Sequence, residues 1–288
     1  MAGKVTTPSE LDVPAFLMSF PFTVDNRVAN NPLMVPFAPP YDQGRACRQW
    51  MGLYNALAAE ALVYVMPHHG SDFQDLPFVA NLGAVLPHRP VPTVMLADFM
   101  SPSRRGEEDV GYEMFRSLGY DIRQPSRFFE GEADLKFIRG NLYVGGHGIR
   151  TKREAYGWMA EIFGMDIVPV RMTDERLYHF DCLFFPIDPE AALVATSRLD
   201  AADVRAIEKH VRIIDVPEAF VYDGWTNAIR VNRRIVIDAP AGKESRNAFE
   251  RVICGLGFEP VMLDLSEFAK SGADASCLVC HLNFAGRR

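Results

Sequence analysis

Three short stretches of the chain share one layout: SLGYDIRQP around Gly119, IFGMDIVPV around Gly164 and GLGFEPVML around Gly257. In each, a glycine closes an amphipathic segment. An aromatic residue or Met follows, then an acidic residue and a short apolar run. A glycine after the last helical turn supplies a left-handed cap at little cost, so each stretch reads as a helix end feeding a strand. Apolar residues at three- and four-residue spacing predict five helices, at about 47–61, 106–118, 152–163, 200–210 and 243–255. The two remaining junctions, LVYVMP and VRIIDVP, match the others in hydrophobicity only. Between the helices lie β-rich runs such as VPTVMLADF, LKFIRGNLYVGG, ALVATS and AIRVNRRIVID, the last with a hairpin signal at NRRI. A strand–helix–strand unit recurring about five times predicts an α/β fold of radial or stacked repeats. No Ser/Gly-rich linker divides the chain, so one domain is expected over 1–288, and the Pro-rich NNPLMVPFAPPYDQG reads as an ordered surface loop or lid.

Composition narrows the function. With 288 residues, 48% of them hydrophobic, the chain can bury a large core. A net charge of −7 disfavours nucleic acid as a partner. No run of about 18 apolar residues occurs, so no membrane span is expected, and the first residues lack a secretory pattern. Five scattered cysteines, an odd number, argue for reduced thiols and a cytoplasmic setting. Cys277 and Cys280 form a C-x-x-C pair, but only His281 lies near to complete a zinc set, and the pair falls in an expected short strand. Neither a metal nor an organic cofactor is expected.

Several residues could carry chemistry. Cys277 follows the small polar loop SGADAS at the expected strand start, although a lone cysteine is more often an inert buried thiol. In LYHFDCLFF, His179 and Asp181 would share one face of an extended strand. An ionisable pair beside an apolar run needs partners or a use. In FFEGEADLKF, Glu130, Glu132 and Asp134 alternate and would likewise share a face if extended. Arginines in SPSRRGEED and GGHGIRTKREA sit at loop–helix joins, where they could clamp a carboxylate bidentately. A planar guanidinium wants opposed carboxylates, an α-carboxylate wants arginine, and a carbon bearing three nitrogens wants a thiolate with a histidine to manage protons.

These motifs, in this order, resemble the guanidino-group-modifying superfamily of arginine deiminases, dimethylarginine dimethylaminohydrolases, arginine dihydrolases and amidinotransferases. FEGEAD resembles the family's F-E-G-x-G-D, with Ala133 for the second glycine; YHFD resembles its H-x-D; and LSEFAKSGADASCL resembles its S-E-F…G-G…C-L, with Gly272-Ala273 for Gly-Gly. SRRGE and GIRT match the arginine-bearing segments. PFVANLG carries Asn81 where dimethylarginine dimethylaminohydrolases carry an acid, as in the arginine dihydrolase branch. FTVDNRVANNPLM resembles the family's opening segment, with Leu33 for Trp. The resemblance runs from about Phe22 to Phe284 and implies a five-bladed β/α propeller. It implies Cys277, not Cys280, as nucleophile, His179 as acid/base, and Asp181, Asp134 and Glu130 around the guanidinium. Asn81, Arg104 and Arg150 are further substrate contacts on the same footing. The implied activity is hydrolysis of a guanidino C–N bond of arginine or a close analogue through a Cys adduct; the alternative is amidino transfer to an amine. The expected partner is a small guanidino substrate, and a homodimer is left open.

Overall fold

The computed structural model describes residues 6–34, 39–67 and 73–287. Val35–Ala38, the middle of the Pro-rich stretch read as a lid, lie outside the described residues. Among the described residues, fifteen strands form five three-stranded sheets. In chain order these are β1 (Ala15–Ser19), β2 (Leu62–Met66), β3 (Gly83–Val85), β4 (Thr93–Leu96), β5 (Asp121–Arg123), β6 (Leu135–Arg139), β7 (Leu142–His147), β8 (Asp166–Arg171), β9 (Phe184–Pro186), β10 (Ala191–Val194), β11 (Arg212–Asp215), β12 (Ile229–Val231), β13 (Arg234–Asp238), β14 (Glu259–Leu263) and β15 (Cys280–His281). The α-helices are α1 (Gln43–Ala58), α2 (Glu107–Ser117), the one-turn α3 (Gly131–Asp134), α4 (Arg153–Phe163), α5 (Ala201–Glu208) and α6 (Lys243–Gly255).

Every unit repeats one plan. An antiparallel pair is followed by a helix that returns the chain to a third, parallel strand, as in β3–β4–α2–β5, β6–β7–α4–β8, β9–β10–α5–β11 and β12–β13–α6–β14. The first unit closes the ring by pairing β1 with β15 from the far end of the chain, and β1 with β2 in parallel across α1. This is the five-unit β/α-propeller architecture. Burial follows the strand order: β1, β4 and β10 are buried throughout, whereas the outermost β2, β11 and β14 are largely exposed or half-buried. The apolar core lies between units. One cluster joins Val144 and Val170 to Phe184 and Ile235, a second joins Phe16 to Val236, a third Leu17 to Val94, and a fourth Met95 to Tyr143.

The three glycine junctions adopt the expected left-handed backbone, at φ +86° for Gly119, +64° for Gly164 and +85° for Gly257. The NRRI hairpin turns through Asn232 at φ 52°. The first helix begins earlier than its apolar spacing suggested, because Asp42 caps it by accepting from Arg45 N.

Three local expectations fail together. His179 is not on a strand; it caps a 3₁₀ turn, Phe180–Cys182. Glu130 caps the helical turn α3, so Glu130, Glu132 and Asp134 do not share an extended face. Cys277 lies in a 3₁₀ turn, Ser276–Leu278, ahead of β15. In each case a tight turn precedes the unit's first strand, and it aims neighbouring side chains in different directions where a strand would alternate them.

Candidate active site

These pre-strand turns converge. Asn81 ends the 3₁₀ turn Val79–Asn81 before β3, Glu130 caps α3 before β6, His179 caps the turn before β9, Asn227 precedes β12, and Cys277 precedes β15. Equivalent places in five units therefore deliver five polar side chains to one end of the ring.

Cys277 is 6% exposed and opens onto a small cavity whose walls include Asp75, Phe78, Asn81, Arg150, Tyr178 and His179. The free volume is ≈ 10 Å³, room for about one water molecule. A larger cavity of ≈ 410 Å³ between Leu86–Pro92, Phe137–Gly140 and Asn283–Ala285 shares no lining residue with it and contains no cysteine.

Asn227 holds the thiol: its Nδ2 donates to Cys277 Sγ at 3.4 Å, while its Oδ1 accepts from Ser276 N at 2.8 Å. Asp181 stands beside the same turn and accepts from Ser276 Oγ at 2.6 Å. Burial pushes the Cys277 thiol well above its ordinary range, and the negative charges of Asp181 and Asp274 push the same way. The resting Cys277 side chain is therefore a thiol, not a thiolate.

His179 Nε2 lies 2.8 Å from Glu130 Oε2 and 3.3 Å from Asn81 Nδ2. Both neighbours cannot be hydrogen-bonded to it at once, because one accepts and the other donates. The carboxylate decides. Burial disfavours the Glu130 charge, but the hydrogen bond and charge of His179, with Arg150 and Arg104, hold its pKa at about 2. An ionised carboxylate only accepts, so Nε2 carries the proton and donates it to Glu130. Asn81 is oriented from its other side, where its Oδ1 accepts from Arg104 Nη1 at 2.7 Å.

The two arginines differ. Arg104 is buried and largely consumed by the protein: it donates to Glu107 Oε2 through Nε and Nη2, to Asn81, and to the Asp75 and Phe78 carbonyls. Arg150 donates to Asn30 O at 2.5 Å, lies over the Tyr178 ring at 5.3 Å, and reaches Glu130 Oε1 at 3.6 Å without a hydrogen bond.

Asp134, like Asp181 and Glu130, is buried and does not itself line the cavity; its Oδ1 accepts from Phe180 N at 3.0 Å and its Oδ2 from Thr151 Oγ1 at 2.6 Å. Thr151 in turn accepts from Glu130 N at 3.1 Å. Asp134 thus braces the backbone on both sides of the His179–Glu130 pair. Burial raises its pKa to about 6.

Sequence reasoning missed Asp75 and Asn227. Asp75 is fully buried on the cavity wall, bonded through Oδ2 to Asn30 Nδ2, while its Oδ1 has no hydrogen-bond partner among the described residues. Burial raises its pKa against the opposing charges of Arg104 and Arg150. Asn227 carried a readable signal, since TNAIRV places an asparagine ahead of a first strand as VANLGAV does. The other half of the C-x-x-C pair faces elsewhere: Cys280 Sγ donates to Gly83 O at 3.6 Å. Among the described residues, no three His, Cys, Asp or Glu side chains gather as a metal site, and no helix is long and apolar enough to cross a membrane.

Residues 31–283 match the family model described as N,N dimethylarginine dimethylhydrolase, eukaryotic. Over 270 residues the chain is 30% identical to the bifunctional arginine dihydrolase/ornithine cyclodeaminase AgrE of Nostoc, covering 91% of this chain and 37% of that protein. The chain thus spans well under half the length of this relative. It is 27% identical to the N(G),N(G)-dimethylarginine dimethylaminohydrolase of Mycobacterium tuberculosis, covering 88% of this chain and 81% of that one. The crystal structure of the N-terminal domain of ArgZ covalently bound to a reaction intermediate superposes with a TM-score of 0.85 at 27% identity, covering 94% of this chain and 98% of that one.

Proposed function

Since the chain belongs to the N,N-dimethylarginine dimethylhydrolase family, we propose that it hydrolyses a guanidino C–N bond of arginine or a close analogue through a covalent adduct on Cys277. The observation that carries this reading is the company Cys277 keeps. A buried thiol faces a histidine bound to an ionised carboxylate, and the same cavity wall holds an Asp75 oxygen with no hydrogen-bond partner among the described residues. An unpaired buried acceptor is costly and invites a donor from a ligand.

The substrate fits the charges of the wall. Asp75, close to both arginines, suits an α-ammonium, and Arg150 suits the α-carboxylate, with Arg104 held by the protein as a frame for Asn81. Asp181, Asn81 and Glu130 suit the guanidinium near Cys277. The closed cavity has no room for arginine, so entry separates Arg150 from Glu130. The substrate's own carboxylate and cation then replace that 3.6 Å contact.

The guanidinium charge lowers the thiol pKa, so that with substrate bound the Cys277 proton passes to His179 and the thiolate is released. The thiolate adds to the central carbon, His179 protonates the departing amine, and a thiouronium-type adduct remains on sulfur. His179 then takes a proton from water, which adds to the same carbon; the C–S bond breaks and a ureido product leaves. Asn81 favours arginine dihydrolysis, since an amide beside His179 holds a neutral ureido group as well as a cation, and a second attack can follow.

The test is product counting with adduct detection by mass. With arginine, wild type should release two ammonia and ornithine, and a quenched reaction should carry mass on Cys277. His179→Gln should lower kcat by about 10²–10⁴-fold. A loss under tenfold would remove His179 from the chemistry, and consumption of added amine in place of water would favour amidino transfer.

A further inference from the structure

The E-G-E turn holds a second carboxylate that the mechanism does not use. Glu132 occupies the variable place in the F-E-G-x-G-D pattern, two residues past Glu130. It is 7% exposed and spends both oxygens on one residue: Oε2 accepts from the backbone N of His281 at 2.8 Å, and Oε1 from His281 Nδ1 at 2.5 Å. The His281 ring is held from both sides, stacked on Phe284 at 5.0 Å and 7° and met edge-on by Phe16 at 5.0 Å. Lys136, also buried, adds positive charge to the same cluster.

We propose that the Glu132–His281 pair is a positioning clamp that fixes the nucleophile segment against the turn bearing Glu130. The covalent path on each side is short and stiff. Cys277 to His281 is one fully buried stretch that ends in β15. On the other side, Glu132 is tied to Glu130 through Gly131 at φ +67°, where an added Cβ would meet Ala80 O and the Asn81 backbone at 2.6–2.7 Å. The turn therefore has no slack. The two segments belong to the first and third units, which share no sheet, so no ladder hydrogen bond sets their separation. A buried ion pair adds little net stability compared with a well-packed apolar pair, but it is directional. What it adds here is register: it sets where Cys277 stands relative to Glu130 and hence to His179.

This inference rests on the proposed hydrolase reading, and the experiment separates the two. Glu132→Ala, Glu132→Gln, His281→Ala and the Glu132→Ala/His281→Ala double variant are compared with wild type in steady-state kinetics on arginine. Misplacement of about 1 Å costs on the order of 10²-fold, so Glu132→Ala should lower kcat by about 10- to 100-fold. KM should stay within about threefold, because Asp75 and Arg150 lie on other segments. Glu132→Gln, which can still accept one bond, should recover most of the loss. The double variant should be no worse than the poorer single, the mark of residues acting as a unit. A folded Glu132→Ala with kcat within about twofold of wild type would overturn the clamp, as would losses that multiply in the double variant or that appear equally in KM. If Glu132→Ala does not fold, His281→Ala is read by the same twofold criterion. If wild type consumes no guanidino compound, the hydrolase reading falls instead. The clamp is then judged by the rate of Cys277 alkylation, which should change at least about threefold between wild type and His281→Ala; an unchanged rate would refute it.

Discussion

Replacing Asn81 by Asp should change how many ammonia leave per arginine. In the native site the Asn81 Oδ1 accepts from Arg104 and its Nδ2 faces His179 Nε2 at 3.3 Å and Glu130 O at 3.5 Å. An aspartate keeps the Arg104 contact but turns an acceptor toward the Glu130 carbonyl, and it adds a negative charge where the guanidinium carbon must sit. At about 4 Å and an effective dielectric near 20, that charge attracts a guanidinium by about 4 kcal/mol. Repulsion from the ionised Glu130 and desolvation of the new carboxylate remove part of this. A net preference of about 1–3 kcal/mol for cation over neutral ureido group remains, about 5- to 150-fold. The first hydrolysis should persist while the citrulline-like product leaves before the second. The assay is simultaneous measurement of ammonia, citrulline and ornithine during single and multiple turnovers. Two ammonia per arginine and no free citrulline from Asn81→Asp would refute the argument.

Two further outcomes follow from other parts of the site. Cys277→Ala should abolish turnover and adduct formation, whereas Cys280→Ala, whose thiol faces the Gly83 carbonyl, should keep most activity; the reverse would reassign the nucleophile. Asp134 has a native pKa near 6 against 3.8 unfolded, so its contribution to stability is complete below pH 4 and is lost as pH rises through 6, by at most about 3 kcal/mol. Urea unfolding at pH 4, 5.5 and 7.5 should show that Asp134→Asn lacks this decline while leaving KM near wild type; a pH-independent gap between the two proteins would sink it.

Much of the architecture was legible because its signals are local. A glycine at positive φ ends three helices, and the apolar period alone marks the five long helices. The site was legible in residue identity but not in direction. Alternation on a strand placed His179 with Asp181, and Glu130 with Asp134, on common faces, yet these residues sit in one-turn helices where neighbours point apart. Asp134, expected as a substrate ligand, bonds Thr151 and Phe180 on either side of the His179–Glu130 pair. Asp75 escaped notice because an acidic residue in a polar loop looks solvated; only the folded chain shows it buried, with one oxygen unpaired among the described residues. The five-unit repeat held more information than was drawn from it. Aligning the pre-strand turns by position brings Asn227 into the same set as Asn81 and Cys277.

That Asn227, and not a base, contacts the proposed nucleophile Cys277 would let the site be both reactive and guarded. An amide donor steadies sulfur at 3.4 Å without adding charge. Burial, Asp181 and Asp274 all hold the thiol protonated, and the His179–Glu130 pair nearby is hydrogen-bonded within itself. Oxidation and alkylation act on thiolates, so a site with no substrate offers little to either. Under the proposed function a guanidinium entering beside Asp181 would reverse the balance, because a cation lowers the thiol pKa while offsetting a carboxylate that raises it. Under this arrangement the acidic groups have two linked roles: they suppress the nucleophile in the empty site, and they recruit the cation that releases it.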